Sequence, residues 1–528
     1  MGLFVVTSDL FSFSEHKNKF ILVPNDWNDY WNYQTLYTLY YIDNYGHNKK
    51  LGEVKIADSA LTFTIGRRRP NLLETFDKLD DNYFSIGQSK NYYLRINKLL
   101  DELPVNPLEA LQDMAFDLEI LERYRNEKVT RTSLLRSVTS TEIRRQFHNL
   151  ANGGVELTEY NFSYVFDVDK HDIGNESKNE MVFNVDVDST PPTNIHVIIG
   201  RNGVGKSQIL SDMINAFLDN DEKVGCFIND EEFVGPPYKI FPNLIYMSYT
   251  PFDNKAIIED YEDDNDGYRY IYLGLKKPIE EGLSDETNTK DTKNYANKTD
   301  DDLSKEFASS FFQCIASNHK KQRLKESINI LQSDPIFKQF SMLQYLDVEE
   351  NDENFEDLKK VFKKFSSGHG IILLTITKLI ETVEEKSLVL LDEPETHLHP
   401  PLLSSFVTCL SNLLTKRNAV AIVATHSPVI LQEVPKKCVW KLNRSRTVVS
   451  IFRPRIETFG ESYSSLVEEV FGLEIDKSGY HSVIREQVEK SNNYEEFLDK
   501  FDNQLGSDAD VIARTLFLSK KGLNTNEN

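Results

Sequence analysis

Gly200-Arg201-Asn202-Gly203-Val204-Gly205-Lys206-Ser207 constrains this chain more than any other stretch. An apolar, β-like run, Ile195-His196-Val197-Ile198-Ile199, precedes it, and a helix-like run opens from Gln208. The spacing is G-x-x-x-x-G-K-[ST] in a strand–loop–helix context. Glycines at those positions let backbone N–H groups crowd around a polyphosphate without Cβ clashes. The helix start adds partial positive charge. Lys206 offers a point charge to the β- and γ-phosphates, and Ser207 a hydroxyl to Mg2+. Arg201, Asn202, Gly203, Val204, Gly205, Lys206, Ser207 and Gln208 are therefore the expected nucleotide cradle. The bland reading, a glycine-rich turn after a buried strand, leaves the lysine and serine unexplained.

A second constellation belongs to the same chemistry. Leu388-Val389-Leu390-Leu391 is a continuous apolar run, as a strand buried on both faces requires. It ends in Asp392-Glu393-Pro394-Glu395. A carboxylate at such a strand end holds Mg2+, often through water, which is the role expected of Asp392. Glu393 is placed to polarise the water that attacks the γ-phosphate. The apolar run Ala419–Ala424 then leads to Thr425-His426-Ser427, where His426 is expected to hydrogen-bond the γ-phosphate and sense its loss. Lys206, Glu393 and His426 form the expected catalytic set, and Ser207 and Asp392 the metal set.

Between the two lies Phe365-Ser366-Ser367-Gly368-His369-Gly370, followed by a helical pattern through Leu379. The order of P-loop, Ser-Ser-Gly at a helix start, acidic strand end and histidine resembles the ABC-type ATPases. Their signature is usually Leu-Ser-Gly-Gly-Gln, and His369 stands in the Gln place. The resemblance implies that Ser366, Ser367 and Gly368 cap the γ-phosphate held by a second copy. It therefore also implies a head-to-tail dimer, or higher oligomer, that sandwiches two nucleotides.

Asp392-Glu-Pro-Glu-Thr-His-Leu-His-Pro400 resembles the branch containing overcoming-lysogenization-defect (OLD) nucleases, RecF-like repair ATPases and phage-defence ATPases. His397 and His399 could suggest a metal pair, but the resemblance makes their segment the D-loop, a contact between protomers. A wider pattern adds Ser248-Tyr-Thr-Pro-Phe-Asp253, Tyr270-Ile-Tyr-Leu-Gly274 and Glu457-Thr-Phe-Gly-Glu461. With the P-loop and the acidic segment, it resembles the PtuA ATPases of Septu anti-phage systems, which also occur as retron effectors. That resemblance implies a PtuB-like HNH nuclease as partner. In a retron it further implies the reverse transcriptase and its msDNA. No Gln follows Ser248 where a Q-loop would fall, a departure from the ABC pattern.

At 528 residues the chain exceeds one compact core, and three or four structural units are expected. The fold expected is α/β: an ABC-type head of mixed β-sheet with flanking helices and an antiparallel β lobe, a helical insertion and a helical C-terminal region. Residues 1–150 read as a mixed β/α region. Its strands are near Phe20–Val23, Tyr33–Ile42 and Leu51–Ile56, and helical spacing covers Leu94–Leu103 and Pro107–Tyr124. The P-loop half of the head spans 151–255. An insertion follows at 256–360, with a polar loop over Glu280–Asp302 expected to be disordered and a helical arm over Leu303–Leu331. The signature half spans 361–455, and a helical region 456–528. No Toprim-like nuclease domain is expected after the head.

No apolar run approaches the ~20 residues of a membrane helix. The start lacks the basic and apolar regions of a signal peptide. The four cysteines are scattered, so a reducing cytoplasm is the expected compartment. A net charge of −23 argues against a surface coated for bulk nucleic-acid binding. Two basic stretches, Arg123–Arg145 and Lys436–Arg455, are candidate nucleic-acid contacts. The alternative for each is a solvated face or a set of ion-pair partners. The function expected is an ATP-binding and ATP-hydrolysing subunit of an anti-phage complex, gating a partner nuclease. Its rivals are a RecF-like DNA-repair ATPase and a stand-alone nucleic-acid-cleaving ATPase.

Overall fold

A computed structural model describes residues 2–8, 15–27, 29, 32–61, 68–166, 180–218, 225–229, 240–249, 260–263, 268–278, 295–396, 398–445, 448–475 and 479–524. The architecture is mixed α/β, and the chain divides into two compact units. The first comprises Met1–Phe162, Asn184–Ile195 and Phe227–Ile422; the second comprises Ser163–Phe183, His196–Cys226 and Val423–Asn528.

The first unit opens with a six-stranded sheet in the order Thr75–Phe76, Phe4–Val6, Lys19–Pro24, Leu36–Ile42, Asn48–Asp58 and Tyr83–Gly87. Leu36–Ile42 alternates half-buried and buried residues, the period of two that a one-sided sheet imposes. The rings of Phe20 and Phe76 stack on Phe4 at 4.7 and 5.0 Å. The helix Lys90–Leu99 lies so close to the sheet that a Cβ on Gly87 would sit 2.2 Å from the Tyr92 ring. A buried ion network ties this region together. Asp29 meets Lys55 at 2.9 Å, Arg136 at 2.9 Å and Ser133 Oγ at 2.7 Å. Those bonds from Lys55, Ser133 and Arg136 outweigh the upward push of burial, and the Asp29 carboxyl lies below its ordinary value.

The structure breaks the helix expected over Pro107–Tyr124 into Pro107–Ala110 and Leu118–Tyr124. Asn106 and Asp117 cap the two pieces, and Gln112 between them takes a left-handed φ of +53°. Asp113 is the physical reason. Its fully buried carboxylate accepts the backbone N–H groups of Ala115, Phe116 and Gly87, at 2.8, 3.1 and 3.2 Å. Burial pushes this carboxyl up to about 7 despite those bonds. The expected helical arm is likewise two helices, Asp300–Ile315 and Asn318–Leu331, the first started by a Thr299/Asp302 capping box. Most of the polar loop expected over Glu280–Asp302 lies outside the described residues.

The same unit contains four strands in the order Tyr261–Asp263, Tyr268–Gly274, Asn243–Ser248 and Leu388–Asp392. The last three run parallel, and every residue of Leu388–Asp392 is buried, as its unbroken apolar run predicts. Val420–Thr425 carries the chain from the first unit into the second.

The second unit holds Val423–Thr425 and His196–Gly200, the ends of two neighbouring strands, followed in order by Val439–Ser445 and Val448–Phe452. Helix Lys206–Leu218 follows the second of these. Among the described residues four helices then run to Asn524, in keeping with the helical C-terminal region expected. Three of them, Gly479–Glu489, Tyr494–Asp499 and Ser507–Asn524, share a small core of Ile484, Val488, Phe497, Ala513 and Phe517. Among the described residues no helix is long and apolar enough to cross a membrane.

Candidate functional site

The P-loop begins where Gly200 faces Leu442 in the parallel register. A Cβ on Gly200 would lie 2.7 Å from the Leu442 carbonyl oxygen, so a larger residue would force the strands apart. Gly203 and Gly205 answer a different need. Space is open where their Cβ atoms would go, but their φ values of +78° and +108° belong to glycine. These turns lead directly into Lys206, the first residue of the helix. Lys206 is 4% exposed, and its ammonium donates to the Gly200 and Arg201 carbonyls at 3.0 and 3.2 Å. A buried cation folded over a glycine-rich turn at a helix N-terminus fits a polyphosphate ligand. His426, in the same unit, is exposed at the end of Val420–Thr425.

Asp392 and Glu393 belong to the first unit. Asp392 closes its strand directly opposite Ser248 and is 4% exposed. The Ser248 hydroxyl oxygen is buried with no hydrogen-bond partner. A carboxylate beside an unsatisfied hydroxyl, at the ends of two parallel strands, is a donor set suited to a hydrated Mg2+. Glu393 follows with a left-handed φ of +49°. Its carbonyl accepts the backbone N–H and hydroxyl of Thr396 at 3.2 and 3.0 Å. Such a backbone is costly for a residue other than glycine, and it recurs at functional sites.

The signature residues lie at the start of Ser367–Thr382. Ser366 and Ser367 are exposed, whereas Gly368 and His369 are buried. Farther along, Thr375 donates to the Tyr249 hydroxyl at 2.6 Å, and the Thr377 carbonyl accepts from Cys314 Sγ at 3.4 Å. Burial raises the Tyr249 phenol above its ordinary value. His399 caps the helix Pro400–Arg417 through its Nδ1, which accepts from Leu402 N at 3.1 Å. His397 and the Thr250–Asp253 stretch lie outside the described residues. Sequence reasoning missed Asp334, which meets both His369 and His399; Asp before Pro335 signals only a helix N-cap.

Both basic stretches make extensive contacts with the protein itself. Arg125 and Arg144 pair with Glu122, Arg136 with Asp29, and Arg145 with Asp188. In the second stretch Arg453 stacks on Trp440 at 3.6 Å and donates to the Val439 and Val182 carbonyls. Lys441 and Arg455 converge on Glu469, at 3.1 and 3.2 Å. Burial works upward on the Glu469 carboxyl, but its hydrogen bonds from Arg455 N and Lys441 win and hold it below its ordinary 4.5. A depressed carboxyl stabilises the fold above its unfolded value and loses that contribution as pH falls through the folded value. Glu469→Gln is therefore expected to cost about 1–3 kcal/mol at neutral pH, and less under acid conditions. Urea melts at pH 7 and pH 4 check this, and equal losses at both would count against it.

The site and fold define the class first: the chain carries a P-loop ATPase domain. A family profile described as "AAA domain, putative AbiEii toxin, Type IV TA system" matches residues 258–432, which include the signature, Asp392, Glu393 and His426. The chain is 36% identical over 527 residues to protein ea59 of Escherichia phage lambda, covering 96% of both proteins, and it belongs to that protein's family. Among solved structures, a metal-chelate type ABC transporter in an inward-facing conformation matches 59% of this chain and 89% of its own. Its identity of 13% and TM-score of 0.28 are too low to place any residue.

Proposed function

We propose that this chain binds and hydrolyses ATP with Mg2+ and is the nucleotide-controlled subunit of an anti-phage complex. The observation that carries the reading is Lys206, buried and bent over a loop whose two glycines take positive φ. Bound Mg2+ would neutralise phosphate charge and orient the triphosphate. Lys206 and the loop amides hold the phosphates, while Ser207 and Asp392 ligate the metal. Glu393 takes a proton from the attacking water, and His426 reads the γ-phosphate. Ser366, Ser367 and Gly368 complete the site of a second copy, so ATP draws two chains head to tail. The nucleotide state then holds or releases a PtuB-like HNH nuclease, in a Septu or retron setting, with reverse transcriptase and msDNA in the latter. The relative ea59 is encoded by a phage, and in such a setting the complex would act against competing phages.

Two measurements test this reading. The purified chain should turn over ATP, and the tagged chain isolated from its own operon should bring down a nuclease. Recovery of DNA without any nuclease would favour the RecF-like reading, and absence of nucleotide binding would end both. Ser367 is exposed at a helix start, so Ser367→Arg should leave single-chain ATP affinity within about threefold, a change under 1 kcal/mol. The same variant should abolish ATP-driven dimerisation in light scattering. A dimer that survives the added arginine would remove the signature from the interface.

A further inference from the structure

Asp334, His369 and His399 come from three separate elements of the first unit and converge on one point. Asp334 starts the short helix Pro335–Gln339, and its Oδ1 accepts from Ile336 N at 2.8 Å. His369 is in the first turn of the signature helix and is 5% exposed. Its Nδ1 lies 2.7 Å from Ser366 Oγ, and its ring packs 5.2 Å from that of Phe337. His399 stands at the head of Pro400–Arg417 with half of its side chain exposed. His369 Nε2 lies 3.4 Å from Asp334 Oδ1, and His399 Nε2 lies 3.6 Å from Asp334 Oδ2. One ligand atom from each residue falls within 4.8 Å of the other two.

Of these two contacts to Asp334, that of His369 is a poor hydrogen bond and that of His399 is not one. They run to different oxygens of Asp334, but one ligand atom from each residue lies within 4.8 Å of the others, so small side-chain rotations bring all three onto one cation. Ligand atoms about 2.0–2.1 Å from a tetrahedral Zn2+ are about 3.3–3.4 Å from one another. We propose that Asp334, His369 and His399 form a transition-metal site, with Zn2+ the best-fitting ion and water as fourth ligand on the exposed side of His399. Two imidazoles and one carboxylate select Zn2+ over Mg2+ or Ca2+, which take oxygen ligands. Ser366 supplies the outer support: accepting the Nδ1–H of His369, it turns the Nε2 lone pair toward the metal. At His399, Nδ1 accepts the Leu402 N–H, which places the ring proton on Nε2. Metal loading moves that proton to Nδ1, with no net change in protonation, and gives up the cap bond. The ion thus clips together the helices Ser367–Thr382, Pro400–Arg417 and Pro335–Gln339. This site goes beyond the proposed ATPase function and does not depend on it.

The test uses the full chain, stripped with a chelator and titrated with Zn2+ in the absence of nucleotide against a chromophoric competitor. His399→Asn is the informative variant, because asparagine keeps a cap acceptor for the Leu402 N–H while removing the imidazole. Wild type should bind one more Zn2+ per chain than His399→Asn, and Zn2+ should raise the melting temperature of wild type only. Co2+ should give a tetrahedral visible band in wild type that His399→Asn and His369→Gln both lack. Equal Zn2+ stoichiometry and affinity in wild type and His399→Asn, or no uptake by wild type, would overturn the site.

Discussion

Lys206→Ala should weaken ATP binding by on the order of 100- to 1,000-fold while leaving the fold intact. The magnitude follows from what the ammonium does in each state. In the structure it is nearly buried and donates to the Gly200 and Arg201 carbonyls. With triphosphate present, those donors turn to anionic oxygens. Two charge-assisted hydrogen bonds contribute about 1.5–3 kcal/mol each, and together, allowing for non-additivity, about 3–4 kcal/mol. Alanine preserves helix Lys206–Leu218, so melting should move by only a few degrees. Lys206→Arg should not rescue binding, because a planar guanidinium is bulkier than the ammonium that the tight turn encloses. Calorimetry with ATP and Mg2+ checks both variants. Affinity within threefold of wild type would remove Lys206 from the phosphate site.

The parts of this molecule legible in its sequence are those where a local rule and the tertiary role coincide. Leu388–Asp392 reads as a doubly buried strand because its apolar run has no solvent side to mark. The P-loop reads from its glycines because their positive φ is a local demand that packing cannot relax. Pro107–Tyr124 misleads because its helical spacing is overridden by Asp113, whose role is to satisfy three backbone N–H groups from buried sites. The basic stretches leave two readings open in the sequence, and the ion pairs of several of their residues are not legible there for another reason. A run of arginines in sequence does not show which acids it will meet: Glu122 adjoins the first stretch and pairs with Arg125, but it also meets Arg144, 22 positions on, while Asp188 and Glu469 lie later in the chain. His399 shows the same limit at a site. Its neighbour in sequence, His397, suggests a pair, whereas its partners in space are Asp334 and His369, 65 and 30 positions away by subtraction. Periodicity reports on faces of single elements and is blind to which elements meet.

Glu393→Gln should lower ATP turnover by about 100- to 10,000-fold, the range expected when a general base is lost. The same variant should keep ATP affinity within threefold, because the amide has the carboxylate's shape and the phosphates are held by Lys206 and the loop. ATP-loaded dimers should therefore accumulate, and light scattering should show them at nucleotide concentrations where wild type cycles back to monomer. A contrasting substitution separates chemistry from backbone strain. Glu393 has φ +49°, where glycine costs nothing and other residues cost on the order of 1 kcal/mol. Glu393→Gly should lose turnover as Glu393→Gln does, yet match or exceed wild type in thermal stability. If both outcomes hold, the strained turn is retained for the carboxylate it presents, since stability alone would favour glycine there. Either variant keeping more than a tenth of wild-type turnover would exclude Glu393 as the base, and the water-activating group would have to be sought among other residues.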